Sequence, residues 1–438
     1  MAEIDAVLAK FTDPIKGSIH GATFVAIDRN GNDIYRKSFG HQKVDTSKSP
    51  VLTPDTISWI ASLTKLTSSV SVMQVVERGL IGLDDDIRTV LPELKDLKVL
   101  IGFEGEEEEP EPEVQVKDKK GPYSAEPVVK PKGNPIMEDV HGPITLRQLI
   151  SHTSGLRYDL GSTLLMQYSA WADRKENMFF GTLEGNLTPL LFQPGTSWAY
   201  GPGLDWAGEA VARLTDMNFD EYQQKYIWQP LEAKNTTFFP ANRGTTEKDL
   251  HEIAERSQGV GSQDLKFGSL PWLFECRDAL GGAGLYSTAN DYSKLLAALL
   301  ADGGPLLSKA SVDEMFRPQV GAGSVAGLRA SLVGDGSDNT HSTTWSHSFE
   351  ADRKDLMEMQ HCLCGVINTE DVNGRRRKNS IAWSGLPNLI WWIDRESGVA
   401  ATFFTQMNPD GDEFIRKLQW DIEHALYRLI DRRGSSQE

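Results

Sequence analysis

The chain has 438 residues, of which 39% are hydrophobic and 24% are charged, and these proportions are typical of a folded globular protein. Its 62 acidic and 45 basic residues give a formal net charge of −17. Such a field repels phosphate backbones and anionic lipid surfaces, so neither nucleic acid nor a membrane is an expected partner.

The termini and the cysteine content bear on the location of the protein. The N-terminus has no basic stretch followed by an apolar run, and no uncharged apolar segment is long enough to cross a bilayer. Three cysteines cannot form a disulfide framework. A cytoplasmic, reducing location is therefore expected.

Short-range patterns predict strands near both ends of the chain and helices between them. Residues 21–40 contain two β-rich runs separated by Asn30-Gly31, a dipeptide typical of hairpin turns. Apolar spacing and end signals predict helices over 63–78, 145–151, 204–214 and 289–300. Two further strands are expected at 389–393 and 399–404, followed by a helix over 412–430.

This order of elements predicts an α/β (α+β) fold in a single catalytic domain, residues 1–438. The antiparallel sheet is expected to form from about 20–60 and 305–430, with a mainly helical part, about 61–304, inserted between them. Residues 104–132 are rich in acidic residues and proline, which predicts a surface loop. Cys362 and Cys364 lie two apart in an expected strand, where their side chains would share a face.

The first candidate for chemistry is Ser62-Leu63-Thr64-Lys65, a Ser-x-x-Lys sequence at the start of a predicted helix. Residues three apart share a helical face, so the lysine can reach the serine hydroxyl. The N–H groups of the first turn favour developing negative charge there. Such a motif also arises by composition alone, and by itself a solvated helix surface is the simpler interpretation.

Two more segments carry groups suited to such a site. Residues 195–203 form a loop rich in glycine and proline that presents Tyr200 between two turns. Trp383-Ser384-Gly385-Leu386 lies on an expected strand, where a glycine permits close approach of a ligand to the backbone. Taken singly, each segment is explained equally well by packing.

Taken in this order, the three segments resemble the serine β-lactamase and penicillin-binding protein superfamily, whose pattern is Ser-x-x-Lys, then Ser/Tyr-x-Asn, then Lys-Thr-Gly. More closely, the chain is similar to class C β-lactamase-like esterases and to the fungal lovastatin-type acyltransferases, or transesterases. The similarity extends from about residue 20 to about residue 430, interrupted chiefly by the acidic loop. Other segments that match are residues 77–80, 152–156, 204–208, 281–284 and 387–391.

The resemblance implies a β-lactamase/transpeptidase-like fold, in which helices from the chain termini flank the antiparallel sheet. It implies that Ser62 forms an acyl-enzyme and that Lys65 and Tyr200 share the proton transfers. Tyr200 is favoured as the base toward Ser62, with the reverse assignment open. The backbone N–H groups of Ser62 and Leu386 would form the oxyanion hole. The expected substrate-binding residues are Trp383, Ser384 and Gly385, and neither a cofactor nor a metal is implied.

Two positions depart from the superfamily pattern. Pro202 stands where the second motif ends in Asn, and Trp383 stands where the third begins with Lys. A lysine there helps to bind the carboxylate of a β-lactam or a peptide terminus, whereas an indole offers an apolar wall. This disfavours antibiotic and peptidoglycan chemistry and favours an apolar acyl group. Four more aromatic residues either extend that wall or belong to the core: Trp272, Phe274, Trp391 and Trp392.

The expected activity is hydrolysis of an ester, or transfer of an acyl group to an alcohol or amine of a small molecule such as a secondary metabolite. A thioester or a carrier protein is a candidate donor. The alternatives are a β-lactamase, a D-amino-acid peptidase and a catalytically silent binding protein. The sequence does not decide the acyl chain, the acceptor or the oligomeric state.

Histidines offer two further interpretations. His341, His347 and His361 could gather a metal together with Cys362 and Cys364, but zinc sites usually show tighter paired spacings. His152 lies in a turn-like Thr-Ser-Gly context and is interpreted as structural rather than as a catalytic base.

Overall fold

The computed structural model describes residues 1–105, 128–259, 261–269, 274–333 and 357–434. The strands are β1 (Gly21–Asp28), β2 (Asp33–Gly40), β3 (Ser58–Trp59), β4 (Lys98–Phe103), β5 (Pro135–Asp139), β6 (Ala254–Arg256), β7 (Leu265–Phe267), β8 (Tyr286–Ser287), β9 (Met359–His361), β10 (Val366–Asn368), β11 (Ile381–Gly385), β12 (Leu389–Asp394), β13 (Val399–Phe404) and β14 (Met407–Asn408). The helices are α1 (Ala2–Phe11), α2 (Thr64–Glu77), α3 (Leu146–Ile150), α4 (Thr163–Trp171), α5 (Gly203–Thr215), α6 (Phe219–Gln223), α7 (Ala289–Leu300), α8 (Lys309–Met315), α9 (Ala322–Val333) and α10 (Glu413–Gly434).

The main sheet has seven antiparallel strands, drawn from the two ends of the chain in the order β2-β1-β13-β12-β11-β10-β9. Every residue of β12 and β13 is buried. Because successive side chains of a strand point to opposite faces, both faces of the sheet are covered at its centre. α7 packs on β1, β12 and β13, and the terminal helices α1 and α10 pack together.

Between the two sheet-forming parts, most of the secondary structure is helical. Small strand pairs connect the two regions: β3 pairs with β8 just before α2, and β14 pairs with β6. α3 begins with a capping box, in which the side chains of Thr145 and Gln148 each accept a bond from the other residue's backbone N–H.

α2 is the central helix of this region, and all its residues from Thr64 to Val75 are buried. Its polar side chains donate to the carbonyls of neighbouring loops: Ser68 Oγ lies 2.7 Å from the Gly281 oxygen and Ser69 Oγ lies 2.6 Å from the Leu363 oxygen. These bonds satisfy buried polar groups and fix two loops against the helix.

Most of the predicted elements are present where they were expected. The first hairpin turns at Asn30-Gly31, where Gly31 has a φ of 78°, and the four predicted helices correspond to α2, α3, α5 and α7. The later strand pair is β12 and β13, and the closing helix is α10. Of the predicted surface loop at 104–132, residues 106–127 lie outside the described residues.

The strand predicted for Cys362 and Cys364 is wrong. The two residues lie in the turn between β9 and β10, where the Cys362 N–H donates to the Gly365 carbonyl at 2.9 Å. Both thiols are free and buried, with their Sγ atoms 3.5 Å apart. The turn ends at Gly365, which packs so closely against β11 that a Cβ there would lie 2.6 Å from the Ala382 carbonyl oxygen.

Across the helices that the structure describes, none combines the length and the apolar character needed to cross a membrane.

Candidate active site

Ser62 lies between a strand and a buried helix. β3 leads through Ile60 and Ala61 into a one-turn 3-10 helix, Ala61–Leu63, which continues directly into α2. Ala61 has a φ of 45°, a left-handed conformation that costs free energy for a residue with a side chain. The backbone is thus held in an uncommon conformation immediately before the serine.

Lys65 lies one helical turn after Ser62, and its side chain is buried beneath the serine. Its Nζ donates to Ser62 Oγ at 3.3 Å, to the Tyr158 hydroxyl at 3.1 Å and to the Gly282 carbonyl at 2.7 Å. The ammonium form of lysine has three N–H donors and no acceptor, so these three partners use all of them.

Tyr200 approaches Ser62 from the loop that precedes α5. Its hydroxyl lies 2.5 Å from Ser62 Oγ, and its ring centroid lies 4.5 Å from Lys65 Nζ. The structure therefore brings together the three residues predicted to be catalytic, although Tyr200 lies 138 positions after Ser62 in the chain.

Three further residues complete the surroundings of Lys65 and were assigned no role from the sequence. The Tyr158 hydroxyl donates to Asp205 Oδ2 at 3.3 Å, and the Gly282 N–H donates to Asp205 Oδ1 at 2.8 Å. Both acceptors next to Lys65 are thus held by one buried carboxylate. A Cβ on Gly282 would lie 2.3 Å from Asp205 Oδ2, so only glycine fits there.

The signals for these residues in the sequence were weak. Tyr158 lies two positions beyond the matching segment 152–156, whereas Asp205 and Gly282 lie inside the matching segments 204–208 and 281–284. Asp205 could have been noticed as an acidic residue among the apolar positions of α5, where it is 2% exposed.

Burial sets the ionisation of this network. Burial raises the pKa of Tyr158 well above its usual value of 10, and the neighbouring Asp205 and Tyr200 raise it further. Burial also raises the pKa of Asp205, while the charge of Lys65 opposes that rise. Tyr158 is therefore a neutral phenol, which donates to Asp205 and accepts from Lys65.

The third predicted segment runs along the other side of Ser62. A Cβ on Gly385, at the end of β11, would lie 2.8 Å from the Ile60 carbonyl and 2.9 Å from Leu63 Cδ1. The protein backbone before Ser62 is thus one close neighbour that requires a glycine at this position. Leu386 follows directly and packs in the same apolar cluster as Ala61, which places the two predicted oxyanion amides on neighbouring segments.

Trp383 and Ser384 differ in their exposure. Ser384 is half-buried, whereas Trp383 is only 7% exposed and lies behind Tyr200, with 5.4 Å between the two ring centroids. Trp383 is part of an aromatic cluster whose other members are His152, Trp198, Tyr200 and His361.

The other aromatic residues proposed for the apolar wall separate into two groups. Trp391 and Trp392 are at most 1% exposed and belong to the main core. Phe274 packs edge-on against Tyr286 in the smaller apolar cluster that contains Ala61 and Leu386. Trp272 lies outside the described residues.

No group of three or more His, Cys, Asp or Glu side chains that could hold a metal ion is found in the part of the chain that the structure describes. His341 and His347 lie outside that part. His361 is buried in the aromatic cluster, where burial lowers its pKa to about 3.

Comparison with known proteins places this site in a family. The beta-lactamase family model matches residues 4–425. The chain is 31% identical to the lovastatin esterase of Penicillium rubens, over 94% of this chain and 95% of that protein. It is also 31% identical to the monacolin J acid methylbutanoyltransferase of Aspergillus terreus, over 93% of this chain and 92% of that protein. Among solved structures, unliganded simvastatin synthase (LovD) from Aspergillus terreus matches with a TM-score of 0.80 and 29% identity, over 97% of both chains.

These matches confirm the β-lactamase/transpeptidase-like fold and the resemblance to the lovastatin-type acyltransferases. They extend along nearly the whole chain, so they include the sheet, the helical part and the site between them. The chain belongs to the beta-lactamase family, as one of its serine esterases and acyltransferases.

Proposed function

We propose that this protein transfers apolar acyl groups of small molecules through an acyl-enzyme on Ser62, with Tyr200 as the base. The observation that carries the proposal is the position of Ser62 Oγ, which lies 2.5 Å from the Tyr200 hydroxyl and 3.3 Å from Lys65 Nζ. A nucleophile that contacts both a base and a charge that stabilises the base is the arrangement that covalent acyl transfer requires.

The choice of Tyr200 rather than Lys65 as the base rests on distance: the Tyr200 hydroxyl lies 2.5 Å from Ser62 Oγ, whereas Lys65 Nζ lies 3.3 Å from it and also donates to the Gly282 carbonyl at 2.7 Å. The Tyr200 oxygen takes the Ser62 proton as Oγ attacks the acyl carbonyl. Lys65 Nζ, which lies 4.5 Å from the Tyr200 ring centroid, is positioned to stabilise the charge that develops there. The tyrosine then returns the proton to the leaving group.

In the second step, water or an alcohol loses its proton to Tyr200 and attacks the acyl carbonyl of the acyl-enzyme. The bond between the acyl group and Ser62 Oγ breaks, and Tyr200 returns the proton to Ser62 Oγ. Hydrolysis and transfer therefore share the first step and differ only in the acceptor. The N–H groups of Ser62 and Leu386 are proposed to bind the oxyanion in both steps, supported by their location on neighbouring segments.

The preference for apolar acyl groups is supported by the surface beside Ser62. The smaller apolar cluster borders the site through Ala61, Ala283 and Leu386, which adjoin Ser62, Gly282 and Gly385 in the chain. Relatives named for lovastatin and monacolin J acid support a small-molecule substrate of secondary metabolism. Delivery of the acyl group by a thioester or a carrier protein remains part of the proposal.

Two organisational features belong to the same proposal. The site takes Ser62, Lys65 and Tyr200 from the helical part and Gly385 from the sheet, which supports a single catalytic domain over residues 1–438. A cytoplasmic location is supported by Cys362 and Cys364, which are free thiols at a short separation.

The experiment offers p-nitrophenyl and thioester donors of several chain lengths, with and without alcohol or amine acceptors, and follows the intact protein mass. The wild-type protein should gain the mass of one acyl group, and Ser62→Ala should gain none while its unfolding midpoint stays close to that of the wild type. An unchanged mass gain in Ser62→Ala would rule out Ser62 as the nucleophile. An acyl-enzyme that forms with penicillins but not with esters would support the β-lactamase alternative, and no adduct with any donor would support a silent protein.

A further inference from the structure

His152 occupies an unusual position directly after α3. It is 3% exposed and has a φ of 61°, a left-handed conformation that is uncommon outside glycine, asparagine and aspartate. Its place in the chain is 48 residues before Tyr200, yet the two rings lie 5.0 Å apart between centroids. In this backbone conformation, the imidazole ring packs against the loop that carries Tyr200.

Two hydrogen bonds connect His152 to that loop, one on each side of Tyr200. The Ala199 N–H donates to the His152 carbonyl at 3.0 Å, and the Gly201 N–H donates to His152 Nδ1 at 3.3 Å. The backbone on both sides of Tyr200 is thus bonded to a single residue, and the His152 ring packs against the phenol between those bonds.

The bond from Gly201 requires that His152 Nδ1 is an acceptor, so the ring must be neutral with its proton on Nε2. Burial lowers the pKa of His152 well below its usual value, and the nearby His361 and Lys65 lower it further. The surroundings of His152 therefore favour the neutral ring that this hydrogen bond requires.

We infer that His152 is a positioning residue that holds the Tyr200 hydroxyl over Ser62. It does not contact Ser62, and it acts by fixing the backbone of residues 199–201 and the plane of the phenol. The inference rests on the proposed function, in which Tyr200 exchanges protons with Ser62. A displacement of about 1 Å in a catalytic group can reduce the rate by roughly a hundredfold, so such a clamp affects kcat strongly.

The test compares His152→Asn with His152→Leu. Asparagine tolerates the left-handed conformation and places its Oδ1 near the position of His Nδ1, so it retains the acceptor. Leucine fills a similar volume but can accept nothing. We expect His152→Leu to lower kcat by about tenfold to a hundredfold with little change in KM, and His152→Asn to restore most of that loss.

His361→Leu is the matched control, because His361 is a buried histidine of the same aromatic cluster, with its ring centroid 5.4 Å from that of His152. It should lower the unfolding midpoint somewhat less than His152→Leu, because His361 lies in β9 and not in a left-handed conformation, and it should lower kcat far less. Equal losses of kcat in the two leucine variants, or no recovery in His152→Asn, would overturn the inference. The activity of Ser62→Ala is measured alongside. If that variant keeps its activity, the proposed function is wrong. If it is inactive, the comparison of the histidine variants tests only the role of His152.

Discussion

At the scale of single residues, two tyrosines approach the same lysine with opposite chemical roles. Tyr200 contacts Ser62 Oγ, whereas Tyr158 donates its proton to Asp205 and only accepts from Lys65. A phenol whose pKa is raised by burial and by a neighbouring carboxylate does not ionise near neutral pH. The raised pKa therefore argues against Tyr158 as the base, and Tyr200 is the hydroxyl that we propose for that role.

Replacement of each hydroxyl distinguishes these roles. Tyr200→Phe removes the proposed base, so kcat/KM should fall by on the order of a thousandfold or more. Tyr158→Phe removes the hydrogen bond accepted from Lys65 and the one donated to Asp205. A hydrogen bond to a charged group contributes about 1.5 to 3 kcal/mol, and we expect kcat/KM to fall by roughly tenfold to a hundredfold. Steady-state hydrolysis of a p-nitrophenyl ester by both variants measures the difference. A larger loss in Tyr158→Phe than in Tyr200→Phe would reverse the two roles.

The same residues show how far a sequence can lead at this scale. Ser62 and Lys65 lie three positions apart, so their contact follows from helical geometry alone, and Tyr200 was found through a familiar motif. Tyr158 is 93 positions from Lys65 and Gly282 is 217 positions away. Gly282 lies in a segment that matches the family, but neither contact with Lys65 follows from a local pattern. Such contacts depend on how α2, α5 and the intervening loops pack, which is a property of the tertiary structure.

At the scale of elements, α10 is held to the sheet side of the molecule by a buried group of charges. Glu423 accepts from Arg375 Nη2 and Arg376 Nε at 2.8 Å each, and the three side chains are at most 3% exposed. Four residues further along α10, the Tyr427 hydroxyl donates to Asp394 Oδ2 at 2.8 Å. The sequence predicted the helix from its apolar spacing but not this charged contact, because both arginines lie in a segment without regular structure.

We predict that Glu423→Gln lowers the free energy of unfolding by on the order of 3 kcal/mol at neutral pH, because it removes a buried negative charge from two guanidinium groups. The control is Glu3→Gln, which breaks the half-exposed pair between α1 and Arg428 of the same α10 and should cost at most about 1 kcal/mol. Urea titrations of the two variants measure both values. If the two variants lose the same free energy of unfolding, the buried ion pairs of Glu423 contribute no more to stability than the half-exposed pair of Glu3.

The stability difference between the wild type and Glu423→Gln should also depend on pH. Burial raises the pKa of Glu423, but the charges of Arg375 and Arg376 outweigh it and lower the pKa in the folded protein below its value in the unfolded chain. A depressed carboxyl pKa gives stability that is present above the unfolded pKa, about 4.3, and is lost as the pH falls through the folded pKa. The difference in stability between wild type and Glu423→Gln should therefore narrow below about pH 4.

At the scale of the whole molecule, the net negative charge bears on which substrates the protein prefers. The formal net charge of −17 creates a field that lowers the local concentration of anions around the protein. The third motif, which begins with Lys in penicillin-binding enzymes, begins here with Trp383, and its indole is largely inside the protein. Both features disfavour a substrate that carries a carboxylate. The net charge acts at long range, and the replacement of lysine by Trp383 acts within the site.

Two ester substrates that differ only in one carboxylate separate these effects: p-nitrophenyl butyrate, and the mono-p-nitrophenyl ester of glutaric acid. Both have the same leaving group, so their acylation chemistry is matched. We expect kcat/KM to be lower for the anionic ester by on the order of tenfold to a hundredfold at low salt, the effect of roughly 1.4 to 2.7 kcal/mol. A penicillin, which also carries a carboxylate, should be poorer still.

The salt dependence of kcat/KM then distinguishes the long-range effect of the net charge from contacts inside the site. Between about 10 mM and about 1 M salt, the Debye length falls from roughly 30 Å to roughly 3 Å, which screens the net charge but not contacts inside the site. The kcat/KM of the glutarate ester should rise with salt and approach a plateau below that of the butyrate ester, whose own kcat/KM should hardly change. We attribute the remaining gap to the site itself, where Trp383 stands in place of the lysine of the superfamily pattern. If the two esters react equally fast at low salt, or if penicillins react as fast as p-nitrophenyl butyrate, the preference for neutral apolar acyl groups is wrong and β-lactam hydrolysis becomes the better explanation of the site.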